Sequence, residues 1–199
     1  MANKNKTNFN YDLIFYISLV LIVFSLIYLG ARLTGNAVAT DTAIVNVTIS
    51  SSTAINFTTD FLNLGSGTVN IGSTHATIDS EGNVVGGTGW GQTGNLVLEN
   101  IGNEDAEIKI SFGKSAQDYL GGTSPQYQFK FLDNEAGSCT NSTKMDTWIN
   151  TSTTGTVICS NLAYEDSSDT IKVGIKLSIP SDATPGTRTD TVTATATSM

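Results

Sequence analysis

Histidine is nearly absent from this sequence: His75 is the only one. A Ser-His-Asp triad would have to be built on it, yet it sits in a polar, turn-like stretch that reads as surface. No G-x-S-x-G elbow and no H-E-x-x-H pair occurs. Two cysteines and one histidine are too few for a structural zinc site. Basic residues are also scarce. After Ala39, seven Lys and Arg face 17 Asp and Glu. Phosphate backbones need clustered positive charge, so nucleic acid is excluded as a partner. Paired carboxylates for glycoside hydrolysis come without the aromatics that stack on sugars. Trp90 and Trp148 are the only tryptophans, and at least one is expected in the core. The expectation is a protein that is not an enzyme and holds no cofactor.

Charged residues make up only 14% of the chain, and 29 threonines stand in their place with many Ser, Asn and Gly. Threonine is β-branched and suits a half-wet pleated surface. One long hydrophobic run breaks this pattern. Leu13 to Ala31 is 19 residues without a charge, near the ~20 needed to cross a bilayer. Lys4 and Lys6 precede it, which places the N-terminus in the cytoplasm and the following domain outside. Ala37-Val38-Ala39 is an A-x-A pattern with its scissile bond before Thr40. The run is longer than a signal core and the A-x-A lies well beyond it, so a retained anchor and a cleaved signal both stay open. The organisation expected is a cytoplasmic tail (1–12), an anchor or signal segment (13–31), a linker (32–41) and an extracellular domain (42–199). The protein is then at the cell membrane with that domain outside, or secreted.

Past the linker the period is two. Val45, Val47 and Ile49 share one face of Ala43 to Ser50. Further strands are expected at Ala54 to Thr58, at Phe61 to Leu64, around Val69 and Ile71, and at Gly94 to Glu99. Clearer alternation covers Ala106 to Phe112, Tyr127 to Phe131 and Ile171 to Ile179, and the last strand is expected within Thr189 to Thr197. Gly65 to Gly94 is glycine-rich, as tight turns and close backbone approaches require. The fold class is all-β, an antiparallel β-sandwich preceded by one hydrophobic helix.

Cys139 and Cys159 are expected to form one disulfide in an exported domain. Asn46, Asn56, Asn141 and Asn150 each begin an N-x-S/T triplet and are candidate glycan acceptors. Asp133-Asn134-Glu135 and Glu165 to Asp169 are acidic clusters that read as solvated loops, with calcium binding as the sharper reading.

Three stretches carry a resemblance. They are Asn56 to Val69, the run NLVLENIGNEDAEIKI from Asn95 to Ile110, and the ending IKLSIPSDATPGTRTDTVTATATS from Ile175 to Ser198. With the N-x-G-N joint at Asn100 and the Leu33 to Val38 stretch, they resemble extracellular β-sandwich proteins of archaeal and bacterial surfaces, including TasA/camelysin-like filament subunits. The resemblance implies an Ig-like or jelly-roll sandwich, export and often assembly. It carries no catalytic residues. The function expected is a structural or adhesive surface protein, with a filament subunit that exchanges its Thr42 to Ser50 strand as one form. Its partners are then the membrane, through residues 13–31, and copies of itself or other surface proteins. A surface-presented carbohydrate- or calcium-binding module is the alternative.

Overall fold

The computed structural model describes residues 11–33, 42–142 and 144–199. The chain forms two units, Met1–Thr48 and Ile49–Met199.

In the first unit, α1 (Tyr11–Leu33) is a single helix. Its window Leu13–Gly30 has a mean hydropathy of 2.6 and none of it is buried. With no proline or charge inside that window, every interior backbone group can bond within the helix, as a bilayer core demands. Length and composition fit a membrane span or a signal segment. The helix takes in Tyr11 and Asp12 from the expected tail, and Arg32 and Leu33 from the expected linker. Ala39 and Thr40 lie outside the described residues. Beyond them, the strand expected over Ala43 to Ser50 does not form. Residues 42–50 take no regular secondary structure and are exposed. The period-two pattern is real, but among the described residues it forms no ladder.

The second unit is mostly β. Its elements are β1 (Ile55–Thr59), β2 (Thr68–Val69), β3 (His75–Asp79), β4 (Val84–Val85), β5 (Gly87–Thr88), β6 (Leu96–Asn100) and β7 (Ala106–Phe112). A short helix, α2 (Ala116–Leu120), follows. Then come β8 (Gln126–Asp133), β9 (Cys139–Thr140), β10 (Ile149–Asn150), β11 (Thr156–Leu162), β12 (Thr170–Pro180) and β13 (Val192–Ser198). Every pairing is antiparallel.

The longest strand, β12, organises the larger sheet. One edge pairs with β8 from Ile171 to Ser178. The other pairs with β6 through Thr170 to Val173 and with β3 through Lys176 to Pro180. β1 extends the sheet beyond β6, β4 beyond β3 and β10 beyond β8. A second sheet runs β13-β7-β11-β9, and β2 pairs with β5. Alternation decides which side chains are covered. In β7, Ala106, Ile108, Ile110 and Phe112 are buried, while Glu107, Lys109 and Ser111 are not. These side chains join Leu98, Phe129, Phe131, Leu162, Ile171 and Val173 in one core fed by both large sheets. No strand forms at Phe61 to Leu64, and β3, β4, β5, β9, β10 and β11 come in addition to the expected set. Bulges in β11 near Val157 and Cys159 break the alternation that would reveal it. His75 opens β3, so the stretch around it is a strand rather than a turn.

Candidate functional site

The N-x-G-N joint fixes where the exposed segment begins. Asn100, almost wholly buried, donates through Nδ2 to the carbonyls of Glu104, Leu162 and Ala163, and its Oδ1 accepts from the Gly102 amide. The resulting turn offers Asn103 to the incoming chain. Ser52 donates to Asn103 Oδ1 at 2.6 Å, the Asn103 amide donates to the Ser52 carbonyl, and Asn103 Nδ2 donates to the Ser50 carbonyl. Gly102 allows this approach. A Cβ there would lie 2.4 Å from the Ser52 carbonyl oxygen. Residues 42–49 therefore form an arm that is pinned at Ser50 to Ser52 and held nowhere else among the described residues. Its apolar face is open to solvent: Val45 is 90% exposed, Val47 82% and Ile49 81%.

The second unit contains a matching deficiency. A cavity of about 1270 Å³ opens at one end of its core. Phe57, Leu62, Ile78, Trp90, Leu177 and Ile179 supply its apolar wall. On its rim Phe61 and Ile71 point out, 76% and 107% exposed. Trp90 explains two of the many glycines. A Cβ at Gly67 would meet its ring at 2.5 Å, and one at Gly87 would meet it at 2.7 Å. At the polar end stands Asp190, with Oδ2 buried. Burial, and then the Asp190 charge, raises the hydroxyl pKa of both Tyr119 and Tyr127.

Val192, the first residue of β13, also lines this cavity. Among the described residues β13 pairs with no strand but β7. Its sequence, VTATATS, contains no charge and no proline. Natural edge strands usually carry such blunting features, and this edge carries none.

The other candidates sit elsewhere. Cys139 and Cys159 are at disulfide distance, their Cα atoms 5.6 Å apart, and tie β9 to β11. Asn46, Asn56, Asn141 and Asn150 are all exposed. Asn141 has a left-handed φ of 63°, and Asn150 accepts from Gln128 Nε2 in β8. The acidic clusters are solvated only in part: Glu165 and Asp166 are exposed, while Asp133 and Glu135 are half-buried. Asp133 accepts the amides of Gly137 and Cys139, and Glu135 Oε2 accepts those of Asp169 and Thr170. Asp169 is buried. Burial, with Glu135 and Glu99 nearby, raises its carboxyl from 3.8 to about 6. Hydrogen bonding from Thr170, aided by the Asp169 amide, holds Glu135 below its ordinary value. Among the described residues no group of three or more His, Cys, Asp and Glu is arranged to hold a metal. Trp148 is flanked by two ammonium groups, Lys130 and Lys176, each 4.9 Å from its ring centroid. Burial opposes the Lys130 charge, but Glu81 at 2.5 Å and Asp146 at 3.1 Å outweigh it and hold its pKa above the ordinary value.

Comparison of the chain with protein-family models, curated proteins and solved structures gives no match. The site therefore rests on its own geometry. Asp190 and the unpaired β13 edge escape sequence reasoning, because neither a place in a cavity wall nor a missing neighbour leaves a local signal.

Proposed function

We propose that this is an exported cell-surface structural protein whose β domain is an open sandwich that assembles with copies of itself by strand addition. The arm of one subunit, Thr42 to Ser50, lies along the free edge of β13 in the next and turns Val45, Val47 and Ile49 into the cavity. The observation that carries this reading is the arm itself. It holds three apolar residues in strand register, all exposed, on a chain whose own core is left open. Strand addition supplies main-chain hydrogen bonds along the edge and side-chain pockets beneath it. Residues 13–31 deliver the domain through the membrane, either as a retained anchor or as a signal removed before Thr40.

Three aliphatic side chains taken from water contribute roughly 1.5–3 kcal/mol each, less the cost of ordering the arm. In the full chain, Val45→Ser, Val47→Ser and Ile49→Ser together are expected to weaken self-association by at least about a hundredfold. The variant's melting temperature should stay unchanged at dilutions where both proteins are monomers. Sedimentation velocity and negative-stain microscopy read the assembly. A wild-type chain that stays monomeric at high concentration, or a triple variant that assembles like wild type, refutes strand addition.

A further inference from the structure

The cavity wall includes a segment that already imitates the arm. In Phe61-Leu62-Asn63-Leu64, residues 61 and 63 are exposed, while Leu62 and Leu64 turn inward and pack against the core. This is the in-and-out register of Val45, Asn46 and Val47, and it predicts a strand that the structure does not contain. From Asp60 to Gly67 no backbone ladder bond is made. The local bond there runs from the Gly65 amide to Asn63 Oδ1 at 2.9 Å. Gly65, at φ 83°, lies within the segment, and Gly72, at φ 85°, lies beyond its C-terminal end; both are in the left-handed region. Its own Phe61 and the nearby Ile71 face solvent on the cavity rim.

We propose that residues 60–67 are a strap that stands in for the arm in the unassembled subunit, and that it must lift before a neighbour's arm can seat. This rests on the strand-addition reading and adds a control to it. Leu62 and Leu64 shield part of the apolar wall while the subunit is alone, so the core is not left bare during export. The strap has side-chain contacts but no ladder. The arm would bring both, so exchange runs toward assembly. Seating is slow, because the strap must leave first.

Pinning the strap tests this. A Cβ at position 65 lies 3.9 Å from Gln92 Cβ, within the ~3.5–4.5 Å that a disulfide spans. Gly65→Cys with Gln92→Cys places that bridge at two exposed positions; the left-handed φ of 83° strains a cysteine at position 65, so the reduced double variant is the reference for the oxidised one. Mild reduction opens it and spares Cys159, which is fully buried. The probe is a synthetic peptide of residues 42–50, added to full-length chain in detergent micelles at monomeric dilution and followed by tryptophan fluorescence. Trp90 lines the cavity and reports entry. The expected result is that wild type binds, that the oxidised variant binds at least tenfold more slowly or more weakly, and that reduction restores it. A companion variant, Leu62→Ser with Leu64→Ser, lifts the strap and should bind several-fold faster than wild type. Binding by this companion alone, with none by wild type, also supports the strap. Equal binding by wild type and the oxidised variant overturns the strap and leaves strand addition standing. No binding to wild type or to the companion overturns both.

Discussion

The two ends of the core of the β domain are built on the same alternation and finished differently. At the β8 end, eight consecutive residues of β12 pair with Gln126 to Asp133, and Phe129 and Phe131 are fully buried beneath the ladder. At the cavity end, past that ladder, β12 still presents Ile179 to the cavity, and the β13 residue in the lining is Val192, on a strand whose other edge pairs with no strand among the described residues. A row of inward side chains is thus necessary for a closed core and does not ensure one. On the proposed reading, what decides is whether a last strand is supplied, and the segment with the right pattern stands exposed.

That contrast is sharpened first by truncating one aromatic at each end. Phe129→Ala removes a ring with no exposed surface and should cost about 3–5 kcal/mol in urea unfolding. Phe61→Ala at the cavity rim should cost no more than about 0.5 kcal/mol. Similar losses at both positions would mean that the rim is packed as tightly as the core.

A smaller effect separates the closed end by pH. Asp169 titrates near 6 in the fold against 3.8 when free. A raised carboxyl pKa means that the folded state holds the proton more tightly. Its stabilising contribution is therefore complete below 3.8 and is lost as pH rises through 6. Between pH 5 and 7 the melting temperature should fall as pH rises, by an amount on the order of 1 kcal/mol in stability once solvent screening is allowed for. Asp169→Asn should flatten that slope. Glu135 works in the opposite sense. Its pKa is lowered, so its contribution is present above 4.5 and lost below it, outside that window. A variant with the wild-type slope would remove Asp169 as the cause.

The comparison also explains what could be read from the sequence. β7, β8 and β12 were legible because each shows unbroken alternation and finds its partner within the chain. The apolar helix was legible because its composition alone marks it. β11 was not, because two bulges place Ile158 and Cys159 both inside and erase the period. The acidic stretch before β12 looked solvated because its covering group, Glu135, lies 34 residues from Asp169. The arm and the strap were misjudged in the same way. Their alternation says that one face is made for burial, and it is silent on which molecule buries it. The cavity could not be seen at all, since its lining comes from segments far apart in the chain, from Phe57 to Val192.

Amide hydrogen exchange on assembled material tests the central claim most directly. In the monomer, the amides of residues 42–50 should exchange at unstructured rates, and the half of the β13 amides that face its free edge should exchange nearly as fast. On assembly both sets should slow together by at least about a hundredfold, as new ladder bonds form. Assembled protein in which β13 becomes protected while the arm still exchanges freely, or the reverse, would contradict strand addition at this edge.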